Sequence, residues 1–338
     1  MTFIRHDLPY DCLAFTGERA PWWGGDLQTM RNTLIGAKPD IPAGQDIIFD
    51  LPDGDKLLGA FHTPHKPNDS ATHGIMIIIH GLAGDYDSSY VRHLTKAAIR
   101  QGYHALRLNL RGAGRGFAMA RSSYHAGRSD DLAFVISAMA ARYPDKPLYL
   151  CAFSLGGTMA VNMAARHALP KNLSAVISFC APLDMLASAK RFHEPRNKLY
   201  NRHFTKNLIT HTLARPHRDT TQDTLIKSVR SVREFDDVFT SKVAGYQNAD
   251  AYYKGTTPLG YLSQIYVPTL LVHSDNDPLI PDSAYRTLHT SDKLYCVITK
   301  GGGHVGFHGR DQSYDCWQSA VALQFVSQVS QQPFKQRL

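Results

Sequence analysis

Nowhere does the chain approach the ~20 consecutive apolar residues that a membrane-spanning helix needs. Its opening residues, Met1-Thr2-Phe3-Ile4-Arg5-His6-Asp7, carry an early acid and no apolar stretch, so a cleaved signal peptide is not expected. Cysteine is scarce: Cys12, Cys151, Cys180, Cys296 and Cys316 are five and far apart. That usage argues against a disulfide scaffold and fits reduced thiols in a cytoplasmic protein. No Cys or His spacing matches a zinc site, the seventeen histidines being dispersed, so neither a metal nor a cofactor is expected. Acids are the minority charge, 29 against 37 basic residues, for a formal net charge of +8. No nucleic-acid-binding motif accompanies the excess, and bases are interleaved with acids, so no nucleic-acid partner is expected. The excess reads as a solvated surface, with transient contact to an anionic membrane surface as the second reading. Hydrophobic residues make up 43% of the 338 residues and charged ones 20%, enough to bury a large core and unlike a disordered chain.

What is present is an alternation of strand and helix signals. Gln45–Asp50 and Lys56–Phe61 flank an Asp53-Gly54 turn and predict a hairpin. Gly74–Ile79 is a continuous β-branched run, the pattern of a strand buried on both faces of a parallel sheet. Helices are expected over Tyr90–Gln101 and Asp130–Tyr143, and strands over His104–Asn109, Pro147–Cys151 and Leu173–Cys180. Such alternation predicts an α/β fold with a mostly parallel sheet flanked by helices. It stops near Pro182 and resumes near Pro268. The intervening residues are helical in period, including Thr224–Phe239, and no strand fits them. The expected organisation is therefore an irregular lead segment, 1–44, packed on the core; a core of 45–182 and 266–338; and a helical cap insertion, 183–265, roofing the site. Within the lead, Trp22 and Trp23 are expected to pack against the body. Phe192, Tyr200, Phe204, Phe235 and Phe239 in the insertion read mostly as core, with the lining of an acyl pocket as the second reading. A closing helix is expected over Trp317–Val329, with Ala320, Leu323, Val326 and Val329 on its buried stripe.

The chemistry sits at strand ends. Ala152-Phe153-Ser154-Leu155-Gly156 joins a strand to a helix with a serine between small residues, the pattern of a nucleophile elbow. The sharp turn exposes the hydroxyl and puts the following N–H groups at a helix N-terminus. Asp277 follows the apolar run Pro268–Val272 and opens an Asp-x-x-x-Pro turn with Pro281; Asp275 beside it reads as a turn residue that bonds backbone N–H groups. His304 lies among glycines after the strand-like Leu294–Thr299. The order Ser154, Asp277, His304 is that of the α/β-hydrolases. His80-Gly81-Leu82-Ala83-Gly84 follows the buried strand, and the backbone N–H groups of Leu82 and Leu155 are the expected oxyanion donors. His80 itself reads as a structural hydrogen-bonding residue. The basic loop Arg111-Gly112-Ala113-Gly114-Arg115-Gly116 lacks the Lys-Ser/Thr ending of a phosphate-binding loop, so no phosphate site is expected there.

Taken together, His80–Gly84, Tyr90-Val91-Arg92, Asn109–Gly112, Phe153–Gly157, Asp277-Pro278 and Gly302–Phe307 resemble the YheT-like branch of the α/β-hydrolases. Leu27-Gln28-Thr29-Met30 is similar to a Leu-Gln-Thr stretch near the start of those proteins, and the chain departs from them at Asp26, where they more often carry histidine. The resemblance runs from about residue 20 to the C-terminus. It implies a serine esterase or lipase, whose animal relatives act on acylglycerols or phospholipids. A small-molecule ester, with a short- to medium-chain acyl group or a lipid ester, is the expected substrate. Thioesterase or acyltransferase chemistry on the same three residues, or a non-catalytic binding protein on this fold, are the alternatives.

Overall fold

A computed structural model describes residues 14–36, 38–64, 73–216, 219–288, 292–310 and 316–331; the N-terminal expectations for residues 1–7 and Cys12 lie outside these. Eight strands form one sheet: β1 Gln45–Asp50, β2 Lys56–His62, β3 Ile75–Ile79, β4 His104–Leu108, β5 Leu148–Phe153, β6 Leu173–Phe179, β7 Thr269–Ser274 and β8 Leu294–Thr299. Their spatial order is β1-β2-β4-β3-β5-β6-β7-β8. β1 and β2 pair antiparallel across the Asp-Gly turn, β2 pairs antiparallel with β4, and every later pairing is parallel.

β3 shows why a two-sided sheet forms. Ile75, Ile77 and Ile79 enter the cluster on one face, and Met76 and Ile78 the cluster on the other. Side chains alternate across a strand, so an uninterrupted apolar run demands cover on both sides. Twelve α-helices accompany the sheet among the described residues. They are α1 Gly25–Leu34, α2 Ser89–Arg100, α3 Ser129–Arg142, α4 Leu155–Arg166, α5 Met185–His193, α6 Lys198–Leu213, α7 Asp223–Ser228, α8 Val232–Phe235, α9 Ser241–Val243, α10 Ala249–Thr256, α11 Ser283–Arg286 and α12 Trp317–Gln331. α3 and α4 cover the first face through Leu132, Val135, Ile136, Met159 and Met163. The second face is covered by α2 and α12, through Val91, Leu94, Ile99, Val321 and Phe325. On α12, Val326 and Val329 are buried as expected, but Val321, Ala322 and Phe325 complete the stripe, and Ala320 and Leu323 are half-buried.

Helices α5 to α10 lie between β6 and β7, where no described residue is in a strand. The single helix expected over Thr224–Phe239 is broken. Val229 is extended, and Ser231 caps a new helix by accepting from the Glu234 N–H; a serine that bonds the backbone locally favours a fresh start over continuation. Phe235 then leads into a π-helical turn over Asp236–Thr240. The lead also differs from expectation, because α1 lies within it. Trp22 is half-buried beneath the Arg31 guanidinium, 5.7 Å from its ring centre, whereas Trp23 is 60% exposed. No described helix is long and apolar enough to cross a membrane.

Candidate active site

Ser154 caps α4 at the end of β5 with φ 52° and ψ −125°. This left-handed backbone is costly for a residue with a Cβ and persists only where its surroundings impose it. The Ser154 N–H donates to the Phe179 carbonyl at 2.8 Å, tying the elbow to β6. Two positions on, a Cβ at Gly156 would stand 2.2 Å from the His80 carbonyl oxygen. Glycine there is what lets the elbow nest against the loop after β3.

That loop is braced throughout. His80 is fully buried, and burial holds its imidazole down at about 4, so it is neutral. Its Nε2 accepts from the Leu110 N–H at 3.0 Å, which leaves Nδ1 to donate to the Gly81 carbonyl at 2.8 Å. The Gly81 and Ala83 N–H groups donate to the hydroxyls of Tyr90 and Tyr124, at 3.1 and 2.7 Å. Leu82, between them, lines the same cavity as Ser154 and Leu155. Leu155 is the first residue of α4, so its N–H has no partner within the helix.

Asp277 and His304 meet at Ser154. The His304 Nε2 lies 2.8 Å from the Ser154 Oγ, and the His304 Nδ1 lies 2.7 Å from the Asp277 Oδ2. The other carboxylate oxygen of Asp277 accepts from the Leu279 and Ile280 N–H groups at 2.8 and 3.0 Å. Burial pushes the Asp277 carboxyl up, but the adjoining His304 and the Ile280 N–H outweigh it and hold the group below its ordinary value. Asp275 instead accepts from the Gly301 N–H at 2.8 Å and anchors the histidine loop. The buried His273 stacks on Tyr285 at 4.2 Å and stands 4.0 Å from the Asp277 Oδ2; burial lowers its pKa.

The lead supplies supports that the sequence pattern did not reveal as such. The His304 N–H donates to Thr29 Oγ1 at 2.8 Å, and the His308 N–H to Gln28 Oε1 at 2.7 Å. Glu18 Oε1 accepts from Asn276 Nδ2 at 2.7 Å and from the Gly302 N–H at 3.1 Å, bridging the acid loop to the histidine loop. A Cβ at Gly303 would stand 2.4 Å from the Gly25 carbonyl oxygen. The only available signal for these roles was the Leu27-Gln28-Thr29 stretch itself.

A cavity of about 740 Å³ opens over Ser154. Phe192, Tyr200, Phe204, Phe235 and Phe239 of the insertion all line it, with Tyr252 and Tyr253; of these Phe235 is also core, packed with Ile226 and Val229, and Phe239 lies against that cluster. Arg111 is not at a phosphate site: it is buried and pairs with Asp131, Asp55 and Asp53 at 2.6 to 2.7 Å. The one grouping of metal-ligating atoms among the described residues is Cys180, Asp277 and His304, within 4.8 Å of one another. Burial raises the Cys180 thiol well above its ordinary value, which opposes the thiolate a metal would need. Cys151, Cys180, Cys296 and Cys316 are all free thiols.

Comparison with known proteins agrees with this fold. The model of the alpha/beta hydrolase fold family matches residues 74–311. The phospholipase ABHD3 of Homo sapiens is 27% identical over 313 residues, covering 90% of this chain and 76% of its own length. YheT of Escherichia coli (strain K12) is 27% identical over 272 residues, covering 77% of this chain and 78% of its own. The medium-chain fatty acid ethyl ester synthase/esterase 2 of Saccharomyces cerevisiae is 28% identical over 285 residues, covering 76% and 62%. Among solved structures, the Pyrococcus furiosus esterase Pf2001 aligns with a TM-score of 0.56 at 15% identity, over 96% of this chain and 98% of its own, a likeness of fold. A family match running from the residue before β3 to beyond His304, on a sheet of this order, settles the lineage: the chain belongs to the α/β-hydrolase fold family.

Proposed function

We propose that the protein is a serine hydrolase of carboxylic esters, working through an acyl-enzyme on Ser154. It is an α/β-hydrolase of the esterase and lipase type, in keeping with relatives named phospholipase and esterase. The observation that carries the mechanism is the continuous relay from Asp277 through His304 to Ser154, at 2.7 and 2.8 Å, facing the cavity.

In the first half-reaction Ser154 Oγ attacks the ester carbonyl while His304 Nε2 takes its proton. The tetrahedral oxyanion is held by the N–H groups of Leu82 and Leu155, a contact whose loss typically costs about 10²–10³ in rate per donor. As the carbonyl re-forms, the bond to the leaving oxygen breaks and His304 protonates the departing alcohol. Water then attacks the acyl-serine by the same route, giving the acid and free serine. Asp277 keeps the Nδ1–H tautomer and stabilises the imidazolium.

On this reading the described residues of 183–265 act as the cap over a core drawn from 45–182 and 266–338, and the described part of the lead, from residue 14 on, packs against that core. A volume of about 740 Å³ falls in the ~300–1,000 Å³ range of small-molecule sites, and its aromatic lining suits a short- to medium-chain acyl group or a lipid ester. Fluorophosphonate labelling tests the assignment together with turnover of p-nitrophenyl esters from acetate to palmitate. Ser154→Ala should abolish both while leaving the fold intact. Stoichiometric labelling and turnover by that variant would refute it.

A further inference from the structure

Helix α1 is amphipathic in the opposite sense to a helix that packs on a core. Its inward face is polar: Gln28 is fully buried, and Thr29, Arg31 and Asn32 are half-buried. Gln28 makes its hydrogen bonds there, to the carbonyls of Trp22 and His308 and from the His308 N–H. The apolar stripe is the outward one. On α1, Leu27, Met30 and Leu34 follow one another at i, i+3 and i+7 and are 43%, 40% and 56% exposed; Trp23, just ahead of the helix, is 60% exposed and Ile35, at its C-cap, 47%. Surface helices ordinarily turn such a stripe inward. Five of the eleven strongly exposed large apolar side chains among the described residues fall on this one segment, and a concentration of that kind marks an interaction surface.

The stripe borders the cavity at Met30. Across the opening, Asp26 of α1 accepts from Arg196 at 2.9 Å and from Tyr200 at 3.1 Å, joining α1 to the start of α6. Leu199 stands beside them, 81% exposed, and both it and Met30 line the cavity. Lys198, Arg202 and Lys206 run along α6 next to Leu199 at i, i+4 and i+8, all exposed. None of the three forms an ion pair among the described residues. An exposed apolar stripe with a row of cations at its side is the composition of an interfacial helix surface, the apolar groups entering the headgroup boundary and the cations meeting anionic lipid.

We propose that the outer stripe of α1, with Leu199 and the basic row of α6, docks the protein on an anionic lipid surface and sets the cavity mouth against it. The docking stands on the surface alone. Its use, delivery of an ester lipid to Ser154 without passage through water, rests on the hydrolase reading above.

The test uses the full chain with vesicles of phosphatidylcholine, alone or with about a quarter phosphatidylglycerol, read by flotation and by the tryptophan emission maximum. Partitioning onto the anionic vesicles should exceed that onto phosphatidylcholine by roughly ten-fold or more and fall with added salt. Leu27→Gln with Leu34→Gln, and separately Lys198→Glu with Arg202→Glu, should each lower it by about ten-fold or more. Neither pair lines the cavity, so turnover of a water-soluble short-chain ester should be unchanged in both. Failure of the unaltered protein to float with anionic vesicles would overturn the proposal, as would equal binding by the variants. So would a monomer–dimer equilibrium in sedimentation that the Leu27/Leu34 pair abolishes without any lipid binding, since the stripe would then be a self-association face. Vesicle binding by a protein that hydrolyses no ester would support docking and refute the hydrolase reading, so the two fail separately.

Discussion

Replacing Asp277 by asparagine tests the relay at its least accessible member. One carboxylate oxygen accepts from two backbone N–H groups, those of Leu279 and Ile280, and the other from His304 Nδ1. An asparagine has one oxygen and one amide nitrogen to place in the same two positions. Its nitrogen cannot face two N–H donors at 2.8 and 3.0 Å, so the oxygen takes that side and the NH₂ turns to His304. A donor facing Nδ1 forces the ring proton onto Nε2, and a protonated Nε2 cannot accept the Ser154 proton. Inverting the tautomer of a triad histidine costs about 10⁴ in kcat, or about 5.4 kcal/mol of activation free energy. The backbone bonds survive, so stability should change by only about 1 kcal/mol. The assay is steady-state kinetics on a soluble p-nitrophenyl ester, with urea unfolding as the control. Asp275→Asn should stay within a few-fold of the unaltered protein, because its side-chain oxygen still accepts from Gly301. Activity of Asp277→Asn within ten-fold of the unaltered protein would refute the reasoning, and a large loss in Asp275→Asn alone would move the acid to that residue.

Two further outcomes follow from buried polar groups. Burial pushes the Asp55 carboxyl up, but the Arg121 N–H, the Arg111 guanidinium and Ser122 outweigh it and hold the group at about 2. Its stabilisation is therefore complete above the ordinary carboxylate value near 4 and lost as pH falls toward 2. The shift is worth about 2 kcal/mol, so Asp55→Asn should lower stability at pH ~6 by at least that amount and flatten the acid limb; parallel urea-unfolding profiles across that range would contradict this. His80→Ala should strand the Leu110 N–H and the Gly81 carbonyl, lowering stability by about 2–4 kcal/mol, with a fall in kcat for soluble esters at temperatures where the variant is folded; kcat unaltered there would mean that the loop after β3 needs no such brace.

Much of the fold was legible because local chemistry and global architecture agree. The Ile-rich β3 announces two-sided burial, the Asp53-Gly54 turn its hairpin, and the residues Ser154, Asp277 and His304 each follow a strand whose end faces the same rim. Legibility failed where tertiary partners decide the outcome. Helical period in Phe192, Phe204 and Phe239 says that one face is apolar, but not whether that face meets protein or lines a void. Val229–Ser231 interrupts a periodic pattern through a cap that only its partner amide reveals. α1 was missed because its inward residues are polar, so the periodicity that ordinarily marks a packed helix points outward. The supporting roles of Glu18, Gln28 and Thr29 share that cause: hydrogen bonds to loops some 280 positions away leave no local trace.

The placement of these supports has a consequence for engineering the chain. The backbone near Gly25 is wedged between the turn carrying the acid and the turn carrying the imidazole: a Cβ there would reach within 1.9 Å of the Asn276 carbonyl oxygen. Trimming to the family-matched span of 74–311 would discard this keystone along with β1 and β2. A truncated version that still folds would keep its strained serine on β5 and α4, yet lose the Glu18 and Thr29 contacts that hold the His304 loop. On the proposed mechanism, the smallest unit expected to turn over ester is thus larger than the smallest unit recognisable as this fold, and fusion partners or new termini belong away from the segment between Glu18 and Leu34.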